Sequence, residues 1–266
     1  MEFRIEKRIG ALLIGLALLS PAIFAQQEFR YQAWHGHSGP PLIKKAGNMG
    51  SLAIAESGIS FAETYKDGKK RKHPHAWRWA YQDIQQLKMA PKSLTVLTYK
   101  DNKWKLGAER EYEFDLVSDK TFEDAYLFLK GRLDQRFVAE IPDHVSNVLW
   151  EIPVKHLLRF GGDEGTLQVA EDEIVYKSAK SSESRTWRYR DIENVSTSGP
   201  FQLTITTFER AKTHYGNLKG FNFELKQPLE EAHYNDLWLR LNRSKGLKIL
   251  NSYTESAPGT VDSVLQ

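Results

Sequence analysis

The sequence predicts an α+β, mostly β protein built from one structural unit used twice, and three observations carry that prediction. Four segments recur in the same order. Gly50–Phe61 (GSLAIAESGISF) returns as Gly165–Tyr176 (GTLQVAEDEIVY), and Trp79–Ile84 (WAYQDI) returns as Trp187–Ile192 (WRYRDI). Leu94–Tyr99 (LTVLTY) returns as Leu203–Phe208 (LTITTF), and Tyr112–Leu116 (YEFDL) as Phe221–Leu225 (FNFEL). Within these segments apolar residues alternate with small or polar ones, the period that places one set on a single face of a strand. Each copy then ends on a stretch whose apolar residues fall three and four apart, the spacing of one helix face.

Taken in chain order, residues 1–25 read as a secretory signal peptide: Arg4, Lys7 and Arg8 precede an apolar run from Ile9 to Leu19, and Ala22 and Ala25 offer cleavage points. The run is shorter than the roughly 20 residues a membrane span requires. Residues 26–47, with Phe29, Tyr31 and Trp34, read as an extended lead-in whose aromatics pack on the first unit. Residues 48–137 form that unit. Leu52 and Ile54, then Ile59 and Phe61, flank a turn at Glu56-Ser57-Gly58, and Trp77, Trp79 and Tyr81 alternate along a third strand. Thr121 to Leu133 is the closing helix, with Glu123 and Asp124 in its first turn. Residues 138–162 read as a connection, made extended by Ile141-Pro142 and Ile152-Pro153. The second unit occupies 163–247 and closes on a helix carrying Tyr234, Leu237, Trp238 and Leu241. Residues 248–266, rich in Ser, Thr, Gly and Pro from Ser252 onward, are expected to be a disordered tail.

The tandem unit, with GxLxIAxxGIxF, an aromatic strand ending in YxDI, an LT(V/I) strand and a terminal helix, resembles the pleckstrin-homology-like superfold, with GRAM-like bacterial members the nearest match. The resemblance implies two tandem open barrels or sandwiches, each closed by its C-terminal helix. It also implies that Trp238 packs into the second barrel as such helices' tryptophans do. The first helix departs from this, since Lys130 or Phe128 stands opposite Trp238. The superfold hosts lipid-, peptide- and protein-binding modules alike, so the likeness does not choose a ligand.

Composition narrows the chemistry. The chain has no cysteine, which removes disulfides, thiol catalysis and thiolate metal sites. A formal charge of +3 lacks the strong basic excess of a nucleic-acid binder. The densest cationic feature is the loop before the aromatic strand, where Lys66, Lys69, Lys70, Arg71 and Lys72 stand against one acid, Asp67, with His73 and His75 just beyond. Near an anionic membrane each such cation contributes about 1 kcal/mol. The competing reading is a solvated hairpin tip with Trp79 in the core. His35-x-His37 and His73-x-His75 could each offer two imidazoles on one strand face, but no further ligand is announced, and no metal site is assigned. Asp83 and Asp191, duplicated in YxDI, read as turn caps, as do Glu56 and Glu171 at their turns.

No nucleophile elbow, phosphate-binding glycine loop, HExxH or triad spacing is present, so no catalytic residue and no cofactor is assigned. The expectation is an exported, non-enzymatic binding or scaffolding protein that recognises a protein or peptide through a groove or the cleft between the units. The alternative partner is an anionic envelope surface met by the basic loop. A hydrolase in an unfamiliar fold is the remaining alternative, and it would need a pocket joining acids with histidine or metal.

Overall fold

The computed structural model describes residues 27–36, 47–64, 74–102, 108–180, 183–211 and 217–245. Seven strands come first: β1 (Glu28–Gly36), β2 (Gly47–Ala55), β3 (Gly58–Glu63), β4 (Ala76–Trp79), β5 (Ile84–Met89), β6 (Ser93–Asp101) and β7 (Glu109–Leu116). Helix α1 (Glu123–Lys130) and the short strand β8 (Phe137–Ala139) come next. The second series runs β9 (Val148–Leu157), β10 (Gly162–Ala170), β11 (Glu173–Ser178), β12 (Arg185–Arg188), β13 (Ile192–Ser196), β14 (Gln202–Arg210), β15 (Leu218–Leu225) and α2 (Glu231–Ser244).

Period-two spacing places the core. Tyr31, Ala33 and His35 of β1 face inward together with Leu52, Ile54, Ile59, Phe61, Trp79, Val96 and Phe114. The second series repeats this with Ile152, Val154, Leu167, Val169, Tyr176, Trp187, Ile205, Phe221 and Phe223. Two separate apolar cores result, one per repeat. Fine detail repeats as well. Tyr81 donates its hydroxyl to Ala55 O at 2.7 Å, and Tyr189 donates to Ala170 O at 2.6 Å. Thr98 and Thr207 donate to Arg110 O and Lys219 O, each at 3.3 Å.

The expected fold class, two tandem pleckstrin-homology-like open barrels each closed by a helix, is corrected by the sheet. All fifteen strands belong to one sheet, in the order β13-β14-β15-β9-β10-β11-β12-β8-β5-β6-β7-β1-β2-β3-β4. The sheet does not close, because β4 and β13 stand at its two ends with a strand neighbour on one side only. The helices are short, 8 and 14 residues. The physical reason lies in segments read as lead-in and connection. Residues 28–36 form β1, which pairs with β2 and β7. Residues 137–139 form β8, which lies parallel to β5 and bridges to β12 at Thr186↔Ala139, joining the two strand series. Residues 148–157 form β9, where Pro153 lies just past the end of its ladder with β15 and still accepts from Lys226 N–H at 2.9 Å.

The helices also depart from expectation. Helix α1 buries Ala125, Tyr126, Phe128 and Leu129. In α2 the inward residues are Leu237 and Leu241, and Trp238 is 43% exposed. The predicted tryptophan plug is therefore replaced by leucine. Residues 1–26 and 246–266, and with them the leader and tail expectations, lie outside the described residues. Among the described residues no helix is long and apolar enough to cross a membrane.

Candidate functional site at the junction of the repeats

A cleft of about 690 Å³ opens where α1 ends against the second repeat. Its walls are the C-terminal end of α1 (Leu127, Lys130, Gly131), the connection Asp143–Asn147, the β10–β11 turn (Ala170–Glu173) and the Arg188–Arg190 corner after β12. Local chemistry explains each wall. Four carbonyls at a helix C-terminus lack intrahelical donors, and here guanidinium groups meet the last of them, Lys130 O, together with two carbonyls of the turn that follows. Arg188 Nη1 donates to Lys130 O at 2.5 Å and Leu133 O at 2.8 Å, and its Nη2 donates to Asp134 O at 2.9 Å. Arg190 Nη2 adds bonds to Lys130 O and Leu133 O at 3.0 and 2.8 Å. Arg188 is itself held by Asp191, through Nε–Oδ2 and Nη2–Oδ1 contacts of 2.7 Å each. Asp191 also accepts the Arg188 backbone N–H at 3.0 Å, so it is a turn cap, whereas its counterpart Asp83 is exposed.

The floor is a three-membered charge cluster. Lys130 Nζ lies between Glu173, at 2.5 Å, and Asp143, which also accepts the Tyr126 hydroxyl at 3.2 Å. Burial pulls the Lys130 ammonium down, but the two carboxylates outweigh it and hold it above its ordinary value. Burial also raises the Tyr126 hydroxyl, and neighbouring Asp143 reinforces the shift. The rim is different in character: Leu127 is 59% exposed, and His144, Glu171, Asp172 and Arg190 are exposed beside it.

A second cluster ties the repeats on another side of β8. Lys88 Nζ reaches Glu209 at 2.9 Å and Glu140 at 3.4 Å, Arg185 reaches Glu140 at 2.9 Å, and Lys219 reaches Glu209 at 2.9 Å. Burial raises the Glu209 carboxyl, but Lys219 and Lys88 outweigh it and hold it below its usual range. Buried His156 packs against Tyr176, Phe221 and Phe223 in the same repeat. Its Nδ1, Arg185 Nε and Glu209 Oε2 are buried with no hydrogen-bond partner among the described residues.

The basic-loop site residues Lys66, Lys69, Lys70, Arg71, Lys72 and His73 lie outside the described residues. His75 is described, and it has a local job. Its backbone N–H and Nδ1 meet Glu63 Oε2 and Oε1 at 3.0 and 3.1 Å, while Asn48 donates to Glu63 at 2.8 Å. Burial pulls the Glu63 carboxyl up, but these bonds outweigh it and hold it low. His35 is a core residue whose Nδ1–H donates to Glu113 O at 3.0 Å. No group of three His, Asp or Glu suited to a metal occurs among the described residues.

Motif reading alone does not pick out the junction residues, yet the sequence carries a signal for them. Glu173, Arg188 and Arg190 stand where the first repeat has Gly58, Ala80 and Gln82. At each of these three positions the second copy carries a charge that the first lacks, and each of the three side chains reaches Lys130 at the end of α1.

No protein-family model matches this chain, and no curated protein matches it. Among solved structures, that of the C-terminal domain of an unknown protein from Leishmania infantum is similar over 45% of this chain and 94% of its own, at 11% identity and a TM-score of 0.28. The Spt16D Pob3N heterodimer structure is similar over 76% of this chain and 97% of its own, at 12% identity and a TM-score of 0.25. Likenesses this slight bear on neither fold nor function.

Proposed function

We propose that this is an exported, non-enzymatic binding protein that recognises a polypeptide segment in the cleft between its repeats. One observation carries the reading: the cleft has a floor whose charged groups are all paired with one another and a rim that is apolar and charged in both signs. Lys130 occupies Asp143 and Glu173, and Arg188 occupies Asp191, so these acids are committed to structural partners. The three-membered cluster keeps a single formal negative charge, too little to select a highly charged ligand. A polypeptide can bury against Leu127 while its own mixed groups meet Arg190, Glu171 and Asp172. Export rests on the basic and apolar layout of residues 1–25.

A photocrosslinking amino acid at Leu127, compared with one at exposed Arg30 on β1, tests this in cells that produce the protein. A discrete adduct with another polypeptide from Leu127, absent from Arg30, is expected. No adduct, or the same adducts from both positions, would refute the cleft as the binding surface.

A further inference from the structure

One repeat shows what the edge of the other can hold. In the second repeat β12 does not end the sheet, because Ala139 of β8 pairs with its Thr186. The chain then stays on that residue: the Thr186 hydroxyl donates to Ile141 O at 2.7 Å and accepts from Asp143 N–H at 2.9 Å. Glu140 meets Arg185 of β12 at 2.9 Å, and the Asp143 carboxylate shares Lys130 with Glu173. An acidic segment, Phe137–Asp143, thus covers this edge.

Strand β4 is the counterpart of β12, since Trp79 and Arg78 pair with Ile59 and Ser60 as Trp187 and Thr186 pair with Ile174 and Val175. It stands at the end of the sheet, with β3 as its strand neighbour. Glu63 N–H donates to His75 O, so by antiparallel alternation the backbone N–H and C=O of Ala76 and Arg78 point away from β3. Both residues are exposed, and among the described residues these backbone groups have no hydrogen-bond partner.

Beside the edge lies an opening of about 310 Å³, lined among others by Glu28, Ser57, Gly58, Ser60 and Arg78. Asp143 fills the corresponding place in the second repeat, where Glu173 stands for Gly58 and Thr186 for Arg78. The charge of the rim is specific. Glu28 is held by Arg30 at 2.8 Å, whereas Arg78 forms no ion pair among the described residues.

We propose that β4 is a docking edge for an extended acidic segment of another polypeptide. The segment adds antiparallel, as Phe137–Asp143 does on β12, and seats a carboxylate against Arg78 at the mouth of the opening. Unpaired strand edges are templates for such addition. No residue lining this opening lines the junction cleft, so the two surfaces stand or fall separately.

The segment that the fold itself uses is the probe: a synthetic peptide of Phe137–Asp143 with blocked ends, beside a version carrying Glu140→Lys and Asp143→Lys. Fluorescence anisotropy measures its affinity for the chain, and amide hydrogen exchange locates it. The parent peptide is expected to bind with Kd below about 1 mM and to protect the Ala76 and Arg78 amides. The lysine version should bind at least about tenfold more weakly, the loss of one charge-assisted contact. Arg78→Glu keeps the backbone N–H and should reverse that preference. Arg78→Pro removes the N–H as well as the guanidinium, a change an edge strand tolerates, and should abolish binding of both peptides. No binding up to about 1 mM would overturn the proposal. So would protection confined to other strands, or equal affinity of the unaltered chain for the two peptides.

Discussion

His156 occupies, in the second repeat, the place that His35 holds in the first: β9 pairs it with Asp163 as β1 pairs His35 with Asn48. Neither is recognisable from sequence as half of a pair, because the matching motifs begin only at Gly50 and Gly165 and strands β1 and β9 precede them. Burial lowers the His156 imidazole to about 4, and Arg185 and Lys219 push in the same direction against a small opposing pull from Asp163. The folded value lies below the unfolded value of about 6.5, so protonation favours unfolding. Stability is complete above that pH and falls as pH drops from about 6.5 toward 4, by at most about 1.4 kcal/mol per pH unit for one proton. His156→Phe is expected to flatten urea-unfolding free energies across this window; an unchanged slope would assign it to other groups. Glycine is informative at the same scale. Gly58 has φ +144°, and a Cβ there would lie 2.1 Å from Trp79 O. Gly58→Ala should therefore cost about 2 kcal/mol or more in unfolding measurements, whereas its counterpart Glu173 carries a side chain that reaches Lys130.

Elements are legible in proportion to how regularly their apolar residues recur. The strands of the YxDI and LT(V/I) motifs emerge from alternation alone. Register within a helix is harder, since Leu237 and Trp238 are neighbours and only packing decides which turns inward. Leu237→Ala should cost about 2–5 kcal/mol, as buried leucines do, and Trp238→Ala under about 1 kcal/mol; the reverse order in thermal unfolding would restore the tryptophan to the core. The end of α1 depends on a residue 58 positions later in sequence, Arg188. Burial already pushes the Asp191 carboxyl up, and Arg188 opposes it. Arg188→Ala thus takes one of two guanidinium groups from the end of α1 and strands a buried acid, with an expected loss of about 3–5 kcal/mol. Adding Asp191→Ala should recover part of that loss in a double-mutant cycle, whereas additive losses would mean the pair is not coupled.

For the molecule as a whole, the repeat is visible in the sequence and its joining is not. Alternation reports which face of a strand is buried, but it carries no information about which edge meets which. Strand β8 is three residues long, too short to show a period, and β9 begins with exposed Val148 and Leu149 and contains a proline. The cationic-loop expectation concerns residues outside those described, while the junction cleft is made by charges spread over both repeats. Two cores held by one sheet and by the Lys88–Glu209 and Arg188–α1 contacts should melt together. Buried Trp79 and Trp187 report one core each, and Trp→Phe single-tryptophan versions should give coincident transitions in the parent chain. Glu209→Ala, which deprives Lys88 and Lys219 of their shared carboxylate, is expected to separate them; coincidence that persists would place the coupling elsewhere. The narrow link between β8 and β12 has a mechanical consequence. Backbone pairing there is one residue pair, Thr186↔Ala139, while each core is spanned by long ladders. A molecule stretched from its ends will yield first at that link, releasing a short length and leaving two intact cores in series, a safety extension before either repeat gives up its fold.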